Sequence, residues 1–322
     1  MIPRTQTNRA QRAGEQIERV PGASGRAGWR TARRQFFTWM LAPSVVLLTL
    51  ITILPILFLI ATSFTSWDLS RPDSLQLIGL GNYLRLVSDD PRFTNSLWVQ
   101  VKYTLLTVPL QVVIGTSLAI YLKSRIRSPW LMEISRSIFV IPMVIPPIVA
   151  ALIWRILFTP PVSILSYVVT SLGGQPLTWL ANPQLALVAV ATASVWEFFP
   201  FCFLLLYAGL QSLPSEPLEA AHVDGASGWQ TIRHVTIPML RPTLSVVILF
   251  QIVDSIRTFP LVYVMTDGGP GFATEPTNYY AFQEAFSYTY IGYSSAMILI
   301  VFLFTILLTV FILRNIQWSR GE

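Results

Sequence analysis

Glu216-Pro217-Leu218-Glu219-Ala220-Ala221-His222-Val223-Asp224-Gly225-Ala226 is the stretch that decides how this chain is read. It is a polar, helix-forming island between two long apolar segments. Pro217 suits a first helical turn, and Glu216 and Glu219 lie near the positive end of the helix dipole. The alanines leave one face nearly bare, and Gly225 can close the helix in a left-handed cap. A second helical stretch follows and is expected to end at Pro238. The expectation is a short helix–turn–helix, held in water at a membrane surface, that docks onto another protein. The plainer alternative is a capped loop whose carboxylates merely face water.

The flanking sequence calls for a membrane. Of 322 residues, 53% are hydrophobic and only 12% charged, against about 25% charged in ordinary soluble domains. Six apolar segments, 37–64, 97–122, 135–158, 184–208, 241–264 and 291–314, are long enough to cross, since about 20 helical residues span the hydrocarbon. Backbone groups in lipid have to bond within their own segment. The expected fold class is therefore an all-α integral membrane protein with six transmembrane helices. The first apolar segment has no small-residue cleavage site and reads as an uncleaved span. Residues 1–36, rich in arginine and glycine, read as a disordered basic tail. Residues 37–96 form the first helix and an outer loop, and 97–316 the transmembrane domain, with the docking loop at 209–240. Pro142, Pro146 and Pro147 predict a bend in the third span.

Charge sets the orientation. With the N-terminus inside, the inner segments hold sixteen Arg and Lys: eight in the tail, four at 123–136, Arg233 and Arg241 in the loop, and Arg314 and Arg320 at the end. The outer loops hold only Arg71, Arg85 and Arg92. The positive-inside rule then puts both termini and the docking loop in the cytoplasm. The same distribution accounts for the pI near 9.7 without nucleic acid.

Glu219-Ala220-Ala221, Gly225 and Val235-x-Ile237-Pro238 fit the pattern E-A-A-x3-G-x9-I-x-L-P with two conservative departures. With Asp224-Gly225-Ala226, this stretch resembles the cytoplasmic loop of ABC importer permeases of the carbohydrate-uptake group, relatives of the maltose importer. Ile78-Gly79-Leu80-Gly81-Asn82-Tyr83 and Gly268-Gly269-Pro270-Gly271 are similar to outer segments of the same group. The resemblance covers about 40–316. It implies the type I ABC importer permease fold, in a bacterial cytoplasmic (inner) membrane. It also implies partners: a second, non-identical permease subunit, two copies of an ATPase carrying ATP-Mg, and an extracytoplasmic solute-binding protein. Glu219, Ala220, Ala221, Asp224, Gly225 and Ala226 would be the ATPase-coupling loop, with Glu219 meeting a basic residue of the ATPase. The implied solute is a sugar, sugar derivative or polyol; the alternative is an anionic carbohydrate such as glycerol phosphate.

The remaining chemistry is sparse. No G-x-x-x-x-G-K-[ST] phosphate loop occurs, so the energy is expected from another chain or from an ion gradient, and the docking loop argues for the first. The chain is expected to bind no cofactor or metal and to hold no catalytic residues. His222 and His234 both fall in the docking loop, too few for a usual zinc site, and Cys202 stands alone in an apolar run. An intramembrane enzyme would want H-E-x-x-H, a Ser–His pair or facing aspartates in the spans, and none is there. An ion-driven transporter would not need the docking loop. Ionisable groups inside spans are costly and worth naming. Glu197 lies in the fourth span; Asp254 and Arg257 lie three apart in the fifth, with Gln251 one turn before. They read either as a self-neutralising set or as a polar lining of the solute path, with Trp196 and Tyr263 able to stack on a sugar face. Pro200 and Pro260 predict helix breaks nearby. The tyrosines from Tyr279 to Tyr290 read as interfacial anchors or a receptor contact.

Overall fold

The computed structural model describes residues 24–318, apart from Arg127, Pro161, Val162 and Pro176. By its contacts the chain divides into Met1–Phe58 and Leu59–Glu322. The first unit contributes, among the described residues, most of helix α1 (Ser24–Ser63). Helix therefore begins at Ser24, inside the segment expected as a disordered tail to residue 36; residues 1–23 of that segment lie outside the described residues. From Phe36 onward α1 exposes Trp39, Leu47, Leu48, Ile51 and Leu54 in succession, an apolar surface suited to lipid rather than water.

In the second unit, short α2 (Gly81–Ser88) precedes α3 (Pro91–Arg125). Then come α4 (Pro129–Val144), α5 (Pro147–Phe158), α6 (Ile164–Ser171) and α7 (Pro183–Gln211). Short α8 (Glu216–Val223) and α9 (Gly228–Thr231) lead into α10 (Ile237–Ser255) and α11 (Phe259–Met265). The unit closes with α12 (Thr277–Phe282) and α13 (Ile291–Trp318). Five described helical runs are long and apolar enough to cross a membrane; α4 and α5, bent by 89° across Ile145 and Pro146, supply the sixth apolar segment. The bend falls where the proline cluster predicts it. Neither Pro146 nor Pro147 has an N–H to carry a helical ladder through.

Two other prolines behave differently from expectation. Pro238 does not end a helix: the run from Gly228 to Ser255 continues through it. A π turn over Ile232–Thr236 precedes Pro238, and the Ile237 N–H reaches back five residues to the Ile232 carbonyl. The widened turn relieves the ring clash that would stop an α-helix. The fifth span accordingly begins inside the segment expected as loop. Pro200 also lies within unbroken helix, in α7. The break comes instead between α10 and α11, at Ile256–Thr258, with Pro260 in the first turn of α11.

Helix α7 is the buried spine. Its small residues Ala186, Ala189, Ala193 and Ser194 are buried, and α3 packs along it. In lipid, close backbone approach at small residues replaces the hydrophobic drive of soluble cores. Gly115 of α3 is the tightest case: a Cβ there would lie 2.6 Å from Cys202 Cβ and 2.8 Å from Phe203 N. Of the tyrosines expected as anchors, Tyr279 and Tyr280 are buried; Tyr288 and Tyr290 stay exposed. Tyr280 donates to Asp90 at 2.7 Å, and Tyr279 packs against Phe259 and Phe282.

Candidate functional site

Two features stand out: a polar cavity among the spans and an exposed reversal at α8. The cavity, about 250 Å³, is lined from α3 by Tyr103 and Gln111, from α7 by Ser194, Glu197 and Phe198, and from α10 by Gln251, Asp254 and Ser255. The break contributes Arg257 and Thr258, and α11 Pro260 and Leu261. An aromatic cleft of about 310 Å³ adjoins it, sharing Phe198, Gln251, Asp254 and Arg257 and adding Met143, Phe201 and Phe250.

The lining follows from helical periodicity. Ser194, Glu197 and Phe198 are three and four apart on α7, as are Gln251, Asp254 and Ser255 on α10, so each set shares a face. The uncharged groups largely satisfy one another. Gln111 donates to the Ser194 carbonyl at 3.2 Å and Oγ at 3.3 Å. Gln251 donates to the Phe198 carbonyl at 3.3 Å and to Cys202 Sγ at 2.9 Å. Thr258 donates to the Tyr103 hydroxyl at 2.6 Å. Glu197 is the exception: it is 2% exposed and its Oε2 has no hydrogen-bond partner in the structure.

Of the six residues named for a solute path, Glu197, Gln251, Asp254 and Arg257 meet at this cavity. Trp196 packs edge-on against Trp154 at 5.9 Å, and Tyr263 stacks on Phe259 at 5.4 Å; neither lines it. Asp254 and Arg257 do not pair through their side chains. The helix ends at Ser255, and the ion pair among the described residues is Arg92–Glu275. Tyr103, Gln111, Ser194, Ser255 and Thr258 also line the cavity and carry no charge that marks them in the sequence. Ser194, three residues before Glu197, and Thr258, four after Asp254, carried a spacing signal; Tyr103 and Gln111, on α3, carried none.

The α8 reversal is built from local bonds. The N–H groups of Leu218 and Glu219 both reach the Ser215 carbonyl at 2.9 Å. At the other end Gly225, with φ of +75°, donates to the His222 carbonyl at 3.1 Å, and Ala226 donates to the Ala221 carbonyl at 2.9 Å. This pair of bonds is a Schellman closure, which needs the left-handed residue glycine supplies. Ser227 and Gln230 then form a capping box at the start of α9. No residue of α8 is buried, and Glu216, Glu219 and Asp224 are exposed. The reversal thus presents a rigid, small-residue knob away from the body of the chain.

Residues 111–317 match the family described as binding-protein-dependent transport system inner membrane component. The sulfoquinovosyl glycerol transport system permease SmoG of Agrobacterium fabrum is 33% identical, over 86% of this chain and 89% of its own length. The trehalose/maltose transport system permease MalF of Thermococcus litoralis is 31% identical, over 86% and 94%. The trehalose transport system permease SugA of Mycobacterium tuberculosis is 32% identical, over 86% and 87%. Among solved structures, a chain of a bacterial ABC transporter that imports the acidic polysaccharide alginate superposes with a TM-score of 0.75, at 16% identity, over 90% of this chain and 98% of that one. That likeness carries the fold.

Proposed function

Because this chain belongs to the family of binding-protein-dependent transport system inner membrane components, we propose that it is the permease subunit of an ATP-driven importer for a sugar, sugar derivative or polyol. The names of the relatives point to that solute class. A cavity that joins hydrogen-bonding groups to the rings of Phe198, Phe201 and Phe250 suits it, since a sugar has hydroxyl edges and apolar faces. At about 250 Å³ the cavity is small beside usual ligand clefts of about 300–1,000 Å³, which fits a wall completed by a second permease chain.

The observation that carries the reading is the exposed α8 reversal on a chain that has no phosphate loop of its own. Force has to enter from a neighbour, and a rigid knob closed at Gly225 is a means of receiving it. In the proposed cycle a loaded binding protein docks outside, and two ATPase subunits holding ATP-Mg close on the cytoplasmic side. The knob moves with them, and the spans expose the cavity outward; hydrolysis then returns it inward. Solute passes without covalent chemistry, so this subunit is a transport component rather than an enzyme. The membrane would be the bacterial inner membrane, with α8 and both termini in the cytoplasm.

The test uses the purified complex in proteoliposomes. A Cβ at Gly225 meets nothing within 4 Å, so Gly225→Val acts through backbone strain, about 1–2 kcal/mol, or a factor of about 5–30 in the ratio of closed to open turn. Gly225→Val combined with Glu219→Ala is expected to lower ATP-driven uptake several-fold and to weaken ATPase co-purification. Unchanged uptake and assembly would refute the coupling role. A second reading, import of an anionic carbohydrate, draws on Arg257 at the cavity and on the solute in the name of SmoG.

A further inference from the structure

The central cavity meets its solute with two carboxylates, Glu197 and Asp254, and one guanidinium, Arg257. Arg257 is exposed, Asp254 half-buried and Glu197 buried, so negative charge lies deeper than positive. Neither carboxylate is in an ion pair within the described residues. The amides of Gln111 and Gln251, which line the same cavity, are engaged with Ser194 and with Phe198 and Cys202. Glu197 Oε2 is left buried and unpartnered. A buried acceptor without a donor is costly, so this atom favours a donor arriving from the cavity.

A sugar or polyol hydroxyl is such a donor. A sulfonate, carboxylate or phosphate brings only acceptors, and its charge is repelled across a medium of low dielectric. One exposed guanidinium does not outweigh two deeper carboxylates. If the pair held a proton between them, the wall would still carry no net positive charge. Resting on the sugar-importer reading above, we propose that Glu197 is a specificity-determining residue of this cavity. It accepts a hydrogen bond from a hydroxyl of a neutral sugar or polyol and, with Asp254, excludes anionic carbohydrates.

The complete transporter in nanodiscs, free of nucleotide and binding protein, provides the test. Binding of neutral trehalose, maltose and glycerol is compared with that of sulfonated sulfoquinovosyl glycerol by saturation-transfer NMR. The wild-type complex is expected to prefer at least one neutral solute by roughly tenfold or more, and Glu197→Gln with Asp254→Asn to bring that preference to within about twofold. Both substitutions keep side-chain size, and subunit co-purification checks assembly. If the double variant does not assemble, the wild-type preference and the two single variants decide. Equal or tighter wild-type binding of the sulfonated solute, or a preference unchanged in the variants, overturns the assignment and leaves the sugar reading standing. Failure of every solute to bind, with ATP hydrolysis indifferent to any sugar-loaded binding protein, overturns the sugar reading and this assignment together.

Discussion

Arg92, at the start of α3, is held by Glu275 through two hydrogen bonds, Nε to Oε2 at 2.8 Å and Nη2 to Oε1 at 2.7 Å. Its guanidinium also lies 4.2 Å from the Phe272 ring and 4.5 Å from the Tyr280 ring. Glu275 is 1% exposed, so removing its partner strands a buried charge. Arg92→Met is expected to cost about 3–5 kcal/mol, and adding Glu275→Leu to recover most of it; chemical unfolding in detergent reads both. One residue before the span, Asp90 caps α3 by accepting from the Phe93 N–H at 2.9 Å, the Tyr280 hydroxyl at 2.7 Å and the Tyr293 hydroxyl at 2.5 Å. Burial pushes its pKa up, but the bonds from Tyr293, Tyr280 and the backbone outweigh burial and hold it below the usual 3.8. A depressed carboxylate stabilises the fold above its unfolded pKa, and that stability is lost as pH falls through the lower folded value. The stability gap between wild type and Asp90→Asn is therefore expected to be constant near neutral pH and to narrow below about pH 4. Unfolding midpoints measured across that range would show it; a gap that widened on acidification would contradict the assignment.

At the scale of elements, the contact of α3 with α7 rests on an absent side chain. The Cβ of Gly115→Ala would press on Cys202 Cβ and on backbone at Phe203, and backbone cannot step aside as a flexible side chain can. The variant is expected to lose about 1–3 kcal/mol, while Val113→Ala, at a position 60% exposed on the same helix, should stay within about 0.5 kcal/mol. Thermal unfolding of both in the same detergent tests the contrast. The α8 reversal is legible in sequence because its bonds are local: Pro217, Gly225 and Ser227 each act within a few residues. The path of the chain at Pro238 is not. The ring clash at Pro238 is met by the widened turn before it, and a π turn leaves no local mark in the sequence.

For the whole molecule, side of the membrane is the property most open to direct measurement. Trp229 is 68% exposed in the reversal proposed to face the cytoplasm, Leu77 is 82% exposed in the segment proposed to lie outside, and the native Cys202 is fully buried. In intact cells an impermeant maleimide is expected to label Leu77→Cys from outside and to reach Trp229→Cys only after the membrane is opened. Labelling of Trp229→Cys in sealed cells would invert the topology and remove the coupling role of α8 with it.

Apolar runs of about 20 residues are a local property imposed by the thickness of hydrocarbon, so the sequence alone determined the spans, their helical character and the capped island between them. The count of arginine and lysine on either side was equally accessible. Convergence, by contrast, exists only in the folded chain. Tyr103, Ser194, Glu197, Asp254 and Thr258 come from four segments spread over nearly half of the chain. Hydropathy records how apolar each helix is, but not which face it turns to its neighbours. The break at Ile256–Thr258 and the bend at Pro147 likewise supply part of the cavity lining. The unpartnered oxygen of Glu197 is therefore a fact of packing: the sequence placed a carboxylate in a span, and the fold turned the amides of Gln111 and Gln251 onto other acceptors.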